Sequence, residues 1–224
     1  MIEPRICVAG IDVATRRHVR PTTSASDPIT RRLLRDEGGP FGVGALVDLG
    51  PVSHRPVAPE SEDHQFSTSR ARHLGTVEGA AFLALLDEAS SADLEEGFGP
   101  DLERVGWKYA VECGKGNRSL AVVRAQSRPG LQIDAAYGRL ELRFDDPDPP
   151  TYLRVTDVRF YEPDHKTIRR DTVDDVARRL RAGVDVYLML GLARAYRAAN
   201  DDRERHWLQL NGLCLADRPV GEVP

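Results

Sequence analysis

Arginines and aromatic residues at alternating spacing are the first chemistry legible in this chain of 224 residues. In residues 139–144 (Arg-Leu-Glu-Leu-Arg-Phe), Arg139, Glu141 and Arg143 share one parity, and Leu140, Leu142 and Phe144 take the other. Residues 151–161 repeat the pattern, with Tyr152, Arg154 and Thr156 opposite Leu153 and Val155. Successive side chains of a strand point to opposite faces, so a hairpin of these two segments carries Arg139, Arg143, Tyr152 and Arg154 on its outer face. A guanidinium fork matches a phosphate, and an aromatic ring stacks on a base. The competing reading is a half-exposed strand whose arginines pair with Glu141 or Asp157.

Three further cationic groups have the same potential. Arg194 and Tyr196 leave one apolar run, and Arg205, His206 and Trp207 enter the next, around a charged tip containing Asn200, Asp201 and Asp202. Arg17, His18 and Arg20 cluster before Pro21. Lys115 and Arg118 lie in Gly114-Lys115-Gly116-Asn117-Arg118-Ser119, which resembles a phosphate loop in composition. That segment lacks the Gly-x-x-x-x-Gly-Lys-Ser/Thr spacing and is followed by a strand pattern, so it reads as a turn.

Catalytic chemistry finds weaker support. Glu60, Glu62, Asp63 and His64, with His54 or His73, have ligand types suited to a two-metal nuclease. Such chemistry needs carboxylates converging on ions about 4 Å apart, and neighbours in a Pro-rich loop have no rigid support for that. Asp157, Asp164 and His165 form a sparser set still. No Gly-x-Ser-x-Gly motif is present, and Cys7 and Cys214 sit in apolar runs where burial is expected. The three cysteines (Cys7, Cys113, Cys214) are odd in number and far apart, which argues against a disulfide framework or zinc site and for a reducing cytoplasm. The expectation is therefore a noncatalytic protein with no cofactor and no bound metal.

Composition sets the frame. A chain with 41% hydrophobic and 29% charged residues folds, and no apolar run approaches the roughly 20 residues of a membrane helix. The N-terminal Met-Ile-Glu-Pro-Arg lacks the apolar core of a signal peptide. Net charge is −4. The acidity concentrates in residues 71–106, where Glu78, Asp87, Glu88, Asp93, Glu95, Glu96, Asp101 and Glu103 face only Arg72 and Arg104. The rest is near neutral, with arginine far commoner than lysine, a bias that genomic base composition also produces. Any nucleic-acid surface must therefore be local.

The elements that must hold these residues follow in chain order. Residues 5–12 and 16–22 read as an opening hairpin, and Asp27-Pro28 as the start of a short helix through 35 that Gly38-Gly39-Pro40 stops. Residues 44–52 read as a strand and 54–70 as loop. Phe82, Leu85, Leu86 and Ala89 give a helical period within an acidic segment, 77–96. Strand patterns occupy 106–111, 119–126, 139–144 and 151–161, with a turn at 145–150. Asp171-Thr172 caps a helix with an apolar stripe of Val173, Val176, Ala177 and Leu180, supported by Asp174–Arg178 and Asp175–Arg179 pairs and ended at Gly183. Residues 184–196 and 206–215 close the structure as a hairpin. A helix between the third and fourth of five strands is the pattern of a small OB-type barrel.

The opening Arg-Ile-Cys-Val-Ala-Gly-Ile-Asp (5–12) with Arg-Arg-His-Val-Arg-Pro-Thr (16–22) resembles the start of the bacterial dual OB-containing domain family. Tyr-Leu-Arg-Val-Thr-Asp-Val-Arg-Phe (152–160), Leu190-Gly191-Leu192-Ala193-Arg194 and His-Trp-Leu-Gln-Leu-Asn-Gly-Leu (206–213) resemble its pattern too, while 54–70 and 77–96 match it least. The resemblance implies two OB-like small β-barrels in tandem within a mainly β fold with α insertions. The first spans 1–105 and includes the acidic helical segment 77–96; the second spans 106–224. It also implies a nucleic-acid or nucleotide ligand, and supplies no catalytic residues. The functional expectation is a protein binding single-stranded DNA or RNA with little sequence preference. The alternatives are a protein-interaction or effector-sensing subunit of a larger bacterial complex and, third, the metal-dependent nuclease.

Overall fold

The helix with the clearest apolar stripe and the hairpin after it organise the structure. The computed structural model describes residues 5–126, 128–144, 150–198 and 201–220. Its N-terminal half contains β1 (Gly10–Ile11), β2 (His18–Thr22), β3 (Ala45–Asp48), β4 (Ser53–His54), β5 (Asp63–Gln65) and β6 (Arg72–Thr76). These are followed by α1 (Gly79–Ala89), β7 (Ser90–Ser91) and α2 (Leu94–Phe98). The C-terminal half contains β8 (Leu102–Val105), β9 (Lys108–Glu112), β10 (Leu120–Arg124), β11 (Gly130–Asp134), β12 (Arg139–Phe144) and β13 (Thr151–Val155). Then come α3 (Arg170–Ala182), β14 (Val186–Leu192), β15 (Tyr196–Arg197) and β16 (Glu204–Leu215). The mainly β architecture expected from the sequence is present. Among the described residues no helix is long and apolar enough to cross a membrane.

The large sheet runs β11-β12-β13-β16-β14-β10-β7. Its pairings are antiparallel except β13 with β16 and β10 with β7, which are parallel. With β10 and β11 taken as two halves of one first strand, the order is first, second, third, fifth, fourth, first. The helix between third and fourth strands is the placement expected from 119–215; the spatial order and the parallel third–fifth pair come from the structure. The described ladders join β10 to no part of β11, so they close no cylinder. The β8–β9 hairpin crosses residue 105 and pairs Arg205, His206 and Trp207 of β16 with Glu112, Val111 and Ala110. It thereby occupies the space beside β13, where the Tyr152 N–H donates to Trp107 O at 2.9 Å.

α3 lies over this sheet with Val173, Val176, Ala177 and Leu180 buried against Leu140, Leu142, Leu153, Leu188 and Leu210. Each buried valine or leucine contributes about 2 kcal/mol by leaving water. Gly183, at φ 85°, ends the helix as the sequence predicts. The Asp175–Arg179 pair forms at 3.2 Å, and Arg178 also turns to Asp175 and not to Asp174. The expected cap at Asp171-Thr172 falls inside the helix, whose N-cap position is Arg169. On the other side of the sheet, Phe82 and Leu86 of α1 pack with Val122, Tyr187 and Cys214.

The N-terminal half departs further from expectation. Its strands form a four-stranded sheet, β1-β2-β5-β4, and a separate β3–β6 pair, and these ladders close no barrel either. Only Gly10 and Ile11 of the opening segment pair with β2. The helix expected at 28–35 is two 3-10 turns, Arg31–Leu33 and Arg35–Glu37. Asp27 caps neither: its carboxylate accepts from the Thr68 N–H at 2.9 Å and from Thr68 Oγ1 at 2.5 Å. The acidic segment 77–96 is not one helix, because Ser90–Ser91 straightens to pair with Val122 and Val123 of β10. Asp93 then caps α2 by accepting from the Glu96 N–H at 2.8 Å. Cys7 is exposed, contrary to its apolar neighbours, while Cys214 is buried. The turn expected at 145–150 lies, except for Pro150, outside the described residues, as does Asn200 of the hairpin tip.

Candidate nucleic-acid interface

Cross-strand register assembles one face from β11, β12 and β13. Arg143 stands opposite Tyr152 on one side and Gly130 on the other; Glu141 stands between Arg154 and Gln132; Arg139 faces Asp134. The alternate residues Leu140, Leu142, Leu153 and Val155 are fully buried beneath. Directly opposed side chains lie about 5 Å apart, so these groups form one continuous surface. Four residues expected to share a face, Arg139, Arg143, Tyr152 and Arg154, therefore do.

Two aromatic residues that the sequence did not single out complete it. Trp107, at the β8–β9 turn, is 55% exposed, and its ring centroid lies 6.5 Å from that of Tyr152 at an interplanar angle of 69°. Tyr137, in the turn between β11 and β12, is 72% exposed, with the Arg139 guanidinium 5.2 Å from its ring centre. The signal for Trp107 was its place after Gly106, which takes φ 62° at the hairpin turn and leaves the next side chain outside. Lys108 adds a nearby charge. It draws the Glu141 carboxyl down, as Arg139 does, but burial first and Asp134 second hold that group above the ordinary carboxylate range.

Several of the other predicted cations contact carboxylates. Arg20, 8% exposed, contacts Asp63 at 2.5 Å and Glu60 at 3.7 Å. Arg194 pairs with the same two carboxylates. Arg205, 7% exposed, contacts Asp201 at 2.7 Å and Glu103 at 3.3 Å. His206 is buried, its Nδ1 2.9 Å from Ala193 O. Arg20, Arg205 and His206 are thus buried in a polar network, whereas the Arg194 side chain stays 62% exposed; a phosphate at any of the three arginines would compete with carboxylates already in contact. His18 is partly buried, and burial holds its pKa below the ordinary value, with Arg118 adding to the effect and Glu62 opposing it. Arg17 is exposed but separated from its two expected neighbours by their burial.

Lys115 contacts Glu112 at 3.0 Å, and Arg118 donates to Glu96 O at 3.3 Å. The loop that holds them is a turn with Gly114 and Gly116 at positive φ, and the Gly116 N–H already donates to Asp101. A phosphate-loop role is thus filled internally. Tyr196 is half exposed, 6.3 Å from the Trp207 ring, which is buried as the packing reading required.

The acidic loop is likewise committed. Glu62 accepts from the Ser119 N–H (2.9 and 3.1 Å), Ser119 Oγ (2.7 Å) and the Leu120 N–H (3.3 Å). Glu60 and Asp63 turn to Arg20 and Arg194. Among the described residues no group of three or more His, Cys, Asp or Glu residues is placed to hold a metal ion. The loop's carboxylates instead tie β5 to the starts of β10 and the 193–206 connection, clasping the two halves of the chain.

Comparison with curated proteins and with solved structures finds no match. The model of one family, described as a dual OB-containing domain, matches residues 2–213, and so includes both the clasped N-terminal half and the sheet bearing the ring-and-arginine face. Its span and the strand order together lead to one conclusion: the chain belongs to the dual OB-containing domain family.

Proposed function

We propose that this protein binds single-stranded DNA or RNA, without catalysis, on the face formed by β11, β12 and β13 and the Trp107 turn. One observation carries the reading: exposed rings (Trp107, Tyr137) and a half-buried one (Tyr152) abut Arg139, Arg143 and Arg154 on a single surface. In OB folds the second and third strands and the loop before the second form the oligonucleotide-binding face, and β12, β13 and the Tyr137 turn occupy those places here. Bases of a single strand offer free π-faces to such rings, whereas duplex bases are already stacked. The accompanying architectural reading is two OB-like units, 1–105 and 106–224. The parallel β2–β5 pairing supports it for the first, and the β13–β16 pairing for the second.

Fluorescence anisotropy with labelled single-stranded oligonucleotides at low salt tests the proposal. Saturable binding is expected, weakened by Trp107→Ala by about 1–3 kcal/mol, the cost of losing one base stack. A protein partner on this face is the competing outcome. Absence of binding to both DNA and RNA, with a stoichiometric protein partner blocked by Trp107→Ala, would establish it instead.

A further inference from the structure

A carboxylate sits in the middle of this cationic face. Glu141 lies two residues from Arg139 and two from Arg143 along β12, about 7 Å from each at the rise of a strand. Arg154 and Gln132 flank it across the sheet. It is neither buried in the core nor fully solvated. Among the described residues its carboxylate makes no hydrogen bond and no ion pair within 4.0 Å, even with Arg154 directly opposite in register. A surface built only to attract phosphates gains nothing from a negative charge at its centre. A surface that places phosphates at its edges and a base in its middle does gain, because the carboxylate accepts only from donors. Cytosine offers an N4 amino group and guanine an amino group beside a ring N–H; thymine and uracil place carbonyl acceptors at the corresponding position.

We infer that Glu141 makes the interface selective for bases that carry an exocyclic amino group, with Arg139 and Arg154 holding the adjoining phosphates. This rests on the interface proposed above and narrows its ligand. The surroundings fit the role. Partial burial first and Asp134 second oppose the ionised form, against Lys108 and Arg139 which favour it, so an amino donor arriving at Glu141 relieves an unfavourable charge. Trp107 and Tyr152, beside Arg143 at one end of the face, and Tyr137, beside Arg139 at the other, offer stacking for the neighbouring bases.

The test compares oligo(dC) with oligo(dT) of equal length by anisotropy at neutral pH, for the wild type and Glu141→Gln. The wild type should prefer oligo(dC) by on the order of tenfold, the discrimination expected of one good charge-assisted base contact. Glu141→Gln keeps the shape, removes the charge and adds an amide donor for a carbonyl. It should bring the ratio close to one, mainly by tightening oligo(dT). Equal wild-type affinities, or a ratio unchanged by Glu141→Gln, would overturn the inference and leave the interface standing. Failure to bind either strand would remove the interface and the inference with it.

Discussion

At the residue scale, the outcome for each cation turned on partners remote in sequence. Arg194 and Glu60 are separated by 134 positions, Arg205 and Glu103 by 102, Arg20 and Asp63 by 43. No local pattern states such a pairing, so these arginines resembled those of the open face. Arg139, Arg143 and Arg154 were legible because their alternation with buried leucines is itself local. Cysteine burial shows the same limit. Cys7 and Cys214 have similar neighbours in sequence, yet only Cys214 is enclosed, and burial pushes its thiol up to about 11 although Arg159 opposes this. The native protein should therefore lose two of its three thiols quickly to a disulfide reagent at pH 8, Cys7 and Cys113, with Cys214 reacting only on unfolding. Rapid modification of all three would contradict the packing of α1 on β14 and β16.

At the scale of elements, strong periodicity survived into the structure and short elements did not announce themselves. α3 and the β14–β16 hairpin were readable because thirteen-residue amphipathic and twelve-residue strand patterns outweigh local noise. β5, of three residues, is held by a parallel partner in β2 and by Glu62 and Asp63, whose carboxylates looked like metal ligands in sequence. β11 contains only Leu131 and Ile133 as apolar residues after Gly130, too little to mark a strand. The clasp at Glu62 makes a quantitative demand. Glu62→Ala leaves the Ser119 N–H and hydroxyl and the Leu120 N–H without their acceptor in the interior, which should cost about 3 kcal/mol of stability in urea unfolding. Glu95→Ala, on the exposed side of α2, should cost less than about 0.5 kcal/mol. Equal effects would mean that the two halves are not joined through this carboxylate.

For the whole molecule, a net charge of −4 and the pairing of many arginines with carboxylates make the proposed interface a local feature among the described residues. The proposed binding would then be driven by a few phosphate contacts and by stacking, not by global attraction. Counterion release gives that statement a number, since each phosphate neutralised on a single strand contributes about −0.7 to the slope of log affinity against log salt. Contacts from the exposed Arg139 and Arg154 imply a slope of about −1.4. The most direct measurement is this slope for the wild type, for Arg154→Ala, and for Lys115→Ala, whose partner is Glu112. Arg154→Ala should reduce its magnitude by about 0.7 and Lys115→Ala should leave it unchanged. A slope that Lys115→Ala reduces and Arg154→Ala does not would place the ligand elsewhere and contradict the account.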